Sequence, residues 1–235
     1  MSNPSGPYPG RQLFLGLTAH QEPCLAYLVT GRSTESRQRK AVAMENMVVM
    51  GPLGNVPYDP LRHYTALKYD DATGIAAVSN GIQTEAIFET YKLLFNVGTP
   101  LTKDYLARLL DGANSEPDTL HTPRIGGIVI ANKGNPVFIL GIKTYNTPAA
   151  AYIVVPEAGH LSGIAVYKGD IDNPEPTNPV SRLSWLEFSG NTAQGLAQSL
   201  YDLSAATYKG EDIRVTSVAA IYSGNAWSVA IANRY

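Results

Sequence analysis

The sequence predicts an α+β fold built from antiparallel sheets, and three observations support this class. Predicted strands come in runs: strands first, then two helices, a second run of strands, one helix, and final strands. Strands that are grouped apart from helices are typical of antiparallel sheets rather than of a βαβ repeat. The 21 glycines and 16 prolines punctuate the whole chain, as expected of many short elements joined by turns. No repeat or linker divides the 235 residues, so we expect one domain over 1–235, with two sheets packed face to face and the helices outside.

The first half of the chain opens with predicted strands and continues into two predicted helices. The apolar, β-prone segments are 12–17, 24–30, 41–50, 64–68 and 74–78. A turn signal, Ser79-Asn80-Gly81, follows the last of them. Apolar side chains then recur at helical spacing from Ile87 to Phe95, which indicates a helix that ends at Gly98. Residues 101–110 are predicted to form the second helix.

Strands resume in the second half and enclose one more helix. The predicted strands are 124–132, 137–143, 150–155, 163–167, 213–221 and 227–232. Segment 169–179 is rich in Asp, Asn and Pro, and we expect a surface loop there. Asn191, with a glutamine three residues later, fits a helix N-cap with a capping-box partner. Leu196, Leu200 and Leu203 then mark the apolar face of that helix.

Composition and charge exclude several classes of partner. Charged residues are only 16% of the chain, the formal net charge is −2, and lysines and arginines are scattered, so we expect no nucleic-acid partner. No apolar run approaches the ~18 residues of a membrane span. Residues 1–10 are rich in Ser, Pro and Gly and lack the apolar core of a signal peptide. We therefore expect a cytoplasmic protein with no membrane partner and a flexible segment over residues 1–10.

Sites built on cysteine, histidine or a standard nucleotide motif are not predicted. Cys24 is the only cysteine, and the 4 histidines lack the spacing of metal ligands. Walker-A, G-x-G-x-x-G, H-E-x-x-H and G-x-S-x-G motifs are absent, which argues against common ATPases, dinucleotide dehydrogenases, zincins and α/β-hydrolases. We expect no metal and no cofactor.

Arginines at the ends of predicted strands are the most informative polar residues. Arg11 stands at the start of the first strand, Arg32 and Arg37 follow the second, and Arg124 opens a later one. Guanidinium groups beside serine and threonine hydroxyls can bind a phosphate through paired hydrogen bonds. The alternative is that these arginines are exposed, solubilising charges.

Short segments along nearly the whole chain resemble the archaeal-type inosine monophosphate (IMP) cyclohydrolases. The matching segments are Tyr8-Pro9-Gly10-Arg11, Tyr27 to Arg37, Tyr64, Val78 to Gly81 with Thr84, Glu116 to Ile125, and the stretch around Trp227. The resemblance implies an enzyme that closes 5-formamidoimidazole-4-carboxamide ribotide to IMP, the last step of purine synthesis. It also implies a four-layer αββα sandwich that resembles N-terminal-nucleophile hydrolases but lacks the terminal nucleophile.

The implied reaction suggests roles for particular residues. The carboxamide nitrogen attacks the formyl carbon and water leaves, so the site must orient two groups, move protons and stabilise charge on oxygen. Arg32 and Tyr64 are candidate donors to the developing charge, and Glu116 is the candidate carboxylate for the amide. Without the resemblance, Tyr64 could equally be a half-buried tyrosine of a strand, and Glu116 could be an exposed carboxylate of a loop.

The remaining candidates would bind the ribotide. Those for the phosphate and ribose are Arg11, Ser33, Arg37, Thr122 and Arg124. Asn80 and Gly81 are candidates for contacts with the base, although they also fit a plain strand-to-helix turn. The implied partner is a purine nucleotide, either the formamido ribotide or IMP, and a homo-oligomer is left open.

The sequence departs from the family pattern near these candidates, and this leaves other functions open. Leu28 stands where the family carries Arg, Thr34-Glu35-Ser36 replaces an aromatic-Pro-Asn run, and Leu61 and Thr65 replace a Tyr and an Asn. One alternative is a nucleotide-binding or regulatory protein with the same pocket but little catalysis; another is a related nucleotide or amide substrate. An amidohydrolase with a terminal nucleophile is disfavoured, because the Pro- and Gly-rich start of the chain does not suit a first strand.

Overall fold

The computed structural model describes residues 8–131, 134–179 and 183–235. Its helices are α1 (Thr34–Arg37), α2 (Gln83–Asn96), α3 (Lys103–Ala113) and α4 (Ala193–Leu203). Its strands are β1 (Arg11–Leu17), β2 (Pro23–Thr30), β3 (Arg39–Ala43), β4 (Met47–Pro52), β5 (Tyr64–Asp70), β6 (Ile75–Ser79), β7 (Arg124–Ile130), β8 (Val137–Lys143), β9 (Ala150–Ile153), β10 (His160–Ala165), β11 (Tyr167–Lys168), β12 (Glu175–Pro176), β13 (Ser184–Glu187), β14 (Thr207–Tyr208), β15 (Glu211–Asp212), β16 (Arg214–Ser223) and β17 (Ala226–Asn233). The predicted α+β class with antiparallel sheets is confirmed.

Two large sheets organise the described chain. One has seven strands in the order β3-β4-β5-β6-β7-β8-β9, which is also their order along the chain. The other has six strands in the order β13-β10-β1-β2-β16-β17 and joins the two ends of the chain. Neighbouring strands within both sheets are antiparallel. The hairpins β11-β12 and β14-β15 form two small additional sheets.

Alternating side chains explain how the sheets and helices pack. Leu13, Leu15 and Tyr27 of the six-stranded sheet share one buried cluster with Val78 and Val129 of the seven-stranded sheet. Side chains that point the opposite way form two further clusters, because successive residues of a strand face opposite sides. One cluster joins α2 and α3 to the seven-stranded sheet, and the other joins α4 to the six-stranded sheet.

Several segments differ from the sequence-based prediction, among them α1, β14 and β15, which were not predicted. Residues 41–50 form a hairpin of β3 and β4 rather than one strand, because Met44 donates its N–H to Met47 O at 2.8 Å and reverses the chain. The predicted loop 169–179 contains β12, which pairs with β11. β13 was not predicted; its side chains are mostly exposed, and among the described strands it pairs with β10 alone, at the sheet edge. A short edge strand has little apolar pattern to reveal it.

The predicted start of α4 is wrong by one residue. Thr192, not Asn191, is the N-cap, and its Oγ1 accepts a hydrogen bond from the N–H of Gly195 at 3.1 Å. Asn191 instead lies beside His20, with Nδ2 and Nδ1 3.2 Å apart. Leu196 and Leu200 are buried as predicted, whereas Leu203 is 71% exposed at the last turn.

We expect Thr192→Ala to lower the free energy of unfolding by about 1 kcal/mol, since it removes a side-chain cap. Thr102→Ala is the matched control, because Thr102 occupies the N-cap of α3 and its side chain makes no capping hydrogen bond among the described residues. Urea unfolding of both variants measures the difference. Equal losses for the two variants would contradict the assignment of Thr192 as the cap.

Tyr8, the first described residue, and the single cysteine of the chain are both buried. Residues 1–7 of the expected flexible segment lie outside the described residues, while Tyr8 and Gly10 are buried. Cys24 is a free, buried cysteine. Among the described residues, no helix combines the length and apolar character needed to traverse a bilayer.

Candidate functional site

A buried carboxylate held by two arginines forms the centre of the candidate site. Arg11 donates from Nη1 to Glu116 Oε1 at 2.7 Å and from Nη2 to Glu116 Oε2 at 2.9 Å. Arg124 donates from Nη1 to the same Oε1 at 2.8 Å. The exposed fractions of Arg11, Glu116 and Arg124 are only 8%, 3% and 4%. We call these three residues the Arg–Glu–Arg cluster; it carries one more positive than negative charge.

The two sheets and one loop bring this cluster together. Arg11 is the first residue of β1 in the six-stranded sheet, and Arg124 is the first residue of β7 in the seven-stranded sheet. Glu116 lies in the loop after α3, where its N–H donates to Thr122 O at 2.8 Å and closes the loop. The cluster therefore ties the sheets to each other at one end of the sandwiched core.

Burial and the neighbouring charges shift the pKa values of Arg11 and Arg124 in opposite directions. Burial works against the charge of Arg11, but the carboxylate of Glu116 outweighs it, so the pKa of Arg11 is raised well above its usual value. Burial lowers the pKa of Arg124, because its single contact with Glu116 compensates less and Arg11 repels it. The geometry agrees with this difference, since Arg11 donates two hydrogen bonds to Glu116 and Arg124 donates one.

Asn80 and Gly81 support the cluster from the end of β6. Asn80 O accepts from Arg11 Nη1 at 3.2 Å, and its side chain joins Pro123 O to the N–H of Ile125 at 2.8 and 2.9 Å. Gly81 leaves room for Arg124, since a Cβ there would lie 2.2 Å from Arg124 Nη1. The predicted contacts of Asn80 and Gly81 with a base stay predictions; in the structure both residues position the arginines.

Two adjoining cavities open in front of the cluster. The inner cavity, of about 200 Å³, is lined by Gly10, Arg11, Thr30, Arg39, Leu61, Arg62, Glu116, Asp118 and Thr122. The outer cavity, of about 610 Å³, is lined by Arg32, Ser33, Thr34, Glu35, Arg37, Tyr208, Lys209 and Glu211. Tyr8, Ser36 and Tyr167 line both, so the cavities form one cleft.

Tyr8 and Tyr167 form an aromatic wall where the cavities meet. Their rings stack with centroids 5.8 Å apart, and the Arg32 guanidinium lies 5.7 Å above the Tyr8 ring. The Tyr167 hydroxyl hydrogen-bonds Thr122 Oγ1, and Thr122 in turn contacts Asp118. Burial raises the pKa of Tyr167 to about 12, so it is a neutral hydroxyl at pH 7.

The predicted residues of the Arg32–Arg37 segment lie around the outer cavity. Arg32 Nη1 donates to Ile171 O at 2.9 Å and Arg37 Nη1 donates to Arg32 O at 2.8 Å. Ser33 is the N-cap of α1 and accepts from the N–H of Ser36. These contacts use part of each arginine to shape the loop and leave the rest of its guanidinium at the cavity wall.

Tyr64 is not brought to the wall of either cavity. It lines a separate cavity of about 480 Å³ between β4, β5 and the start of α2. Its hydroxyl is 2.6 Å from the Tyr27 hydroxyl, in the core between the sheets. Burial, and next the neighbouring Tyr64, raise the pKa of Tyr27 well above its usual value. The tyrosine pair lies close enough to Arg11 and Arg124 to affect their pKa values.

Sequence reasoning missed several residues of the cleft, among them Tyr8, Arg39, Arg62 and Tyr167. Arg39 opens β3 and is 5% exposed, so it obeys the same strand-end pattern that identified Arg11 and Arg124. It was missed because that strand was predicted to begin at residue 41. Arg62 and Tyr167 carry no comparable sequence signal, since the neighbours that bring them to the cleft are distant in the chain.

No metal centre accompanies the cleft in the described part of the chain. No group of three or more His, Cys, Asp or Glu side chains is arranged there to hold a metal ion.

The structure up to this point defines an α+β protein with an arginine-rich cleft over a buried Arg–Glu–Arg cluster. Comparison with known families assigns it more closely: residues 8–226 match the family described as IMP cyclohydrolase-like protein, and the chain belongs to that family. It is also similar to the IMP cyclohydrolase of Methanocaldococcus jannaschii, with 35% identity over 128 residues. That alignment covers 54% of this chain and 58% of the relative.

Proposed function

We propose that this protein is an IMP cyclohydrolase that converts 5-formamidoimidazole-4-carboxamide ribotide to IMP. The observation that carries the proposal is the Glu116 carboxylate, held by Arg11 and Arg124 at the floor of the inner cavity. Family membership and the similarity to a relative named IMP cyclohydrolase support it. The face-to-face sheets, with α2 and α3 on one and α4 on the other, support the αββα arrangement of N-terminal-nucleophile hydrolases.

Positioning accounts for much of the required catalysis. The carboxamide nitrogen must face the formyl carbon, and well-oriented partners reach effective molarities of roughly 10⁵ M or more. A carboxylate offers about four acceptor sites, and the cluster uses three of them on Glu116. The remaining site can accept an N–H of the carboxamide, which orients that nitrogen and receives its proton as the new C–N bond forms.

Charge stabilisation and loss of water complete the reaction. As the nitrogen attacks, negative charge grows on the formyl oxygen, which then leaves as water after it is protonated. Preorganised donors at that oxygen act best in a site that excludes solvent. We assign this donor role to Arg32. Tyr64 lines neither cavity and acts indirectly, through its proximity to Arg11 and Arg124. Thr122, Ser33 and Arg37 bind the ribotide along the cleft.

The direct test is an ultraviolet assay of purine-ring formation with the purified chain and the formamido ribotide. We expect IMP to accumulate in proportion to protein concentration, with Arg108→Met as an active control, since Arg108 is exposed on α3. Binding of IMP without turnover would instead identify a nucleotide-binding or regulatory protein. Glu35 lines the outer cavity, where its negative charge opposes the binding of a phosphate.

A double substitution separates a catalytic role of Tyr64 from a structural one. We expect Tyr64→Phe to cost about 1–3 kcal/mol of stability, because it leaves the buried Tyr27 hydroxyl without its partner. Tyr27→Phe with Tyr64→Phe removes both hydroxyls and should recover most of that stability. If Tyr64 acts in the reaction, turnover stays low in the recovered double variant; turnover that returns with stability would remove Tyr64 from the mechanism. Urea unfolding and the ultraviolet assay give the two readouts.

A further inference from the structure

We propose that Arg39 is the cation that binds the phosphomonoester of the nucleotide, at the point where the inner and outer cavities meet. This inference rests on the proposed function for the identity of the nucleotide, but the binding of a phosphate group at Arg39 is argued from the structure alone.

Arg39 is buried but has an unsatisfied charge. Its Nε donates to Ser36 O at 3.0 Å, while Nη1 is buried and has no hydrogen-bond partner among the described residues. No described carboxylate forms an ion pair with it. Buried charges are normally paired, because removing an unpaired ion from water is costly. A guanidinium held in this state at a cavity wall is ready for an anion from outside the protein.

The other arginines of the cleft are already engaged. Both η nitrogens of Arg11 donate to Glu116, and Arg124 lies behind that carboxylate and lines neither cavity. Arg32 and Arg37 donate to backbone carbonyls and are half-buried. Arg39 therefore combines burial, a free donor and access to the cavity in a way that the other arginines of the described cleft do not.

Position and neighbours suit a phosphomonoester. Ser36, whose carbonyl holds Arg39, lines both cavities, and Arg62 lines the inner one with Nε 3.2 Å from Asp59. At about 200 Å³ the inner cavity is smaller than the ~300 Å³ of common ligand pockets. The nucleotide must therefore occupy both cavities, with its carboxamide at Glu116 and its phosphomonoester at Arg39 beside Ser36, where the cavities join. Arginine donors match phosphate oxygens in paired geometry. Arg39 supplies a positive charge that no described carboxylate offsets, and Arg62, with which it shares the cavity, keeps its ion pair with Asp59.

Inorganic phosphate tests the subsite without any assumption about the reaction. We expect millimolar phosphate to raise the thermal unfolding midpoint of the wild-type chain above that in potassium chloride of equal ionic strength. Arg39→Met should lose this rise, Arg39→Lys should keep part of it, and Arg108→Met should keep all of it. A rise that persists in Arg39→Met would overturn the proposal. If Arg39→Met does not fold, a full rise in Arg39→Lys together with unchanged nucleotide affinity would overturn it.

Nucleotide binding tests the assignment to the phosphomonoester. By calorimetry we expect wild type to bind IMP more tightly than inosine. Arg39→Met should weaken the affinity for IMP by about tenfold or more, as expected for the loss of a charged hydrogen bond, and should leave the affinity for inosine unchanged. With the ribotide as substrate, the weaker binding by Arg39→Met should appear as a higher KM. A fall in kcat at constant KM would assign Arg39 to the reacting groups and overturn the proposal.

The outcomes also separate this proposal from the proposed function. IMP production together with an Arg39→Met variant that still prefers IMP over inosine would refute the subsite and leave the cyclohydrolase intact. No turnover by wild type, together with phosphate stabilisation that depends on Arg39, would refute the cyclohydrolase and support the subsite.

Discussion

We expect Glu116→Gln to abolish most activity and to destabilise the fold. The substitution keeps the shape of the side chain but removes its charge, so Arg11 and Arg124 remain as two buried cations without a counter-ion. Breaking a buried ion pair from one side costs about 3–5 kcal/mol. The carboxamide also loses the carboxylate that receives its proton, which is worth roughly 10²–10⁴-fold in turnover. Urea unfolding and the ultraviolet assay measure the two effects.

Glu89→Gln provides the matched control for this experiment. Glu89 also forms an ion pair, with Lys68 at 2.8 Å, but its side chain is 60% exposed. Exposed pairs contribute about 0–1 kcal/mol, so this variant should be nearly as stable and as active as wild type. If Glu116→Gln proved as stable as Glu89→Gln, the cluster would not be the buried tie between the sheets that the structure shows. If it were as active, Glu116 would have no part in the reaction.

Gly81→Ala should be the second most damaging change, although it adds only a methyl group. The new Cβ would lie 2.2 Å from Arg124 Nη1 and 2.8 Å from Gln83 Oε1, so the guanidinium must move. Its movement breaks the 2.8 Å contact with Glu116. Overpacking of this kind costs about 1–3 kcal/mol, and a displacement of ~1 Å near a site can cost 10²-fold in turnover.

Gly112→Ala is the control for the added methyl group. Gly112 lies in α3, and a Cβ there meets no described atom within 4 Å. Alanine in place of a helical glycine is favourable by about 0.5–1 kcal/mol, so this variant should gain stability and keep full activity. Should Gly81→Ala behave in the same way, the role of Gly81 in seating Arg124 would be disproved.

Most of the correct predictions from the sequence came from the alternation pattern of its strands. Period-two alternation and turn residues located β1, β2, β7 and β8 nearly to the residue. The same patterns could not distinguish the β3-β4 hairpin from a single strand, since its turn, Met44 to Asn46, lacks Gly or Pro. Arg39 was lost as a candidate for that reason alone.

The sequence by itself determined the antiparallel α+β class and the presence of arginines at strand ends, because both depend on local alternation and on turn chemistry. Only the tertiary structure decided what each arginine faces. Arg11 and Glu116 are 105 positions apart, and they meet because two sheets pack face to face and one loop folds back at Thr122. The same packing places Arg124 behind the carboxylate, and it leaves Arg39, at the wall of the inner cavity, with a buried donor that has no partner among the described residues. A strand's alternation specifies which side a residue points to, but the partner on that side comes from another part of the chain.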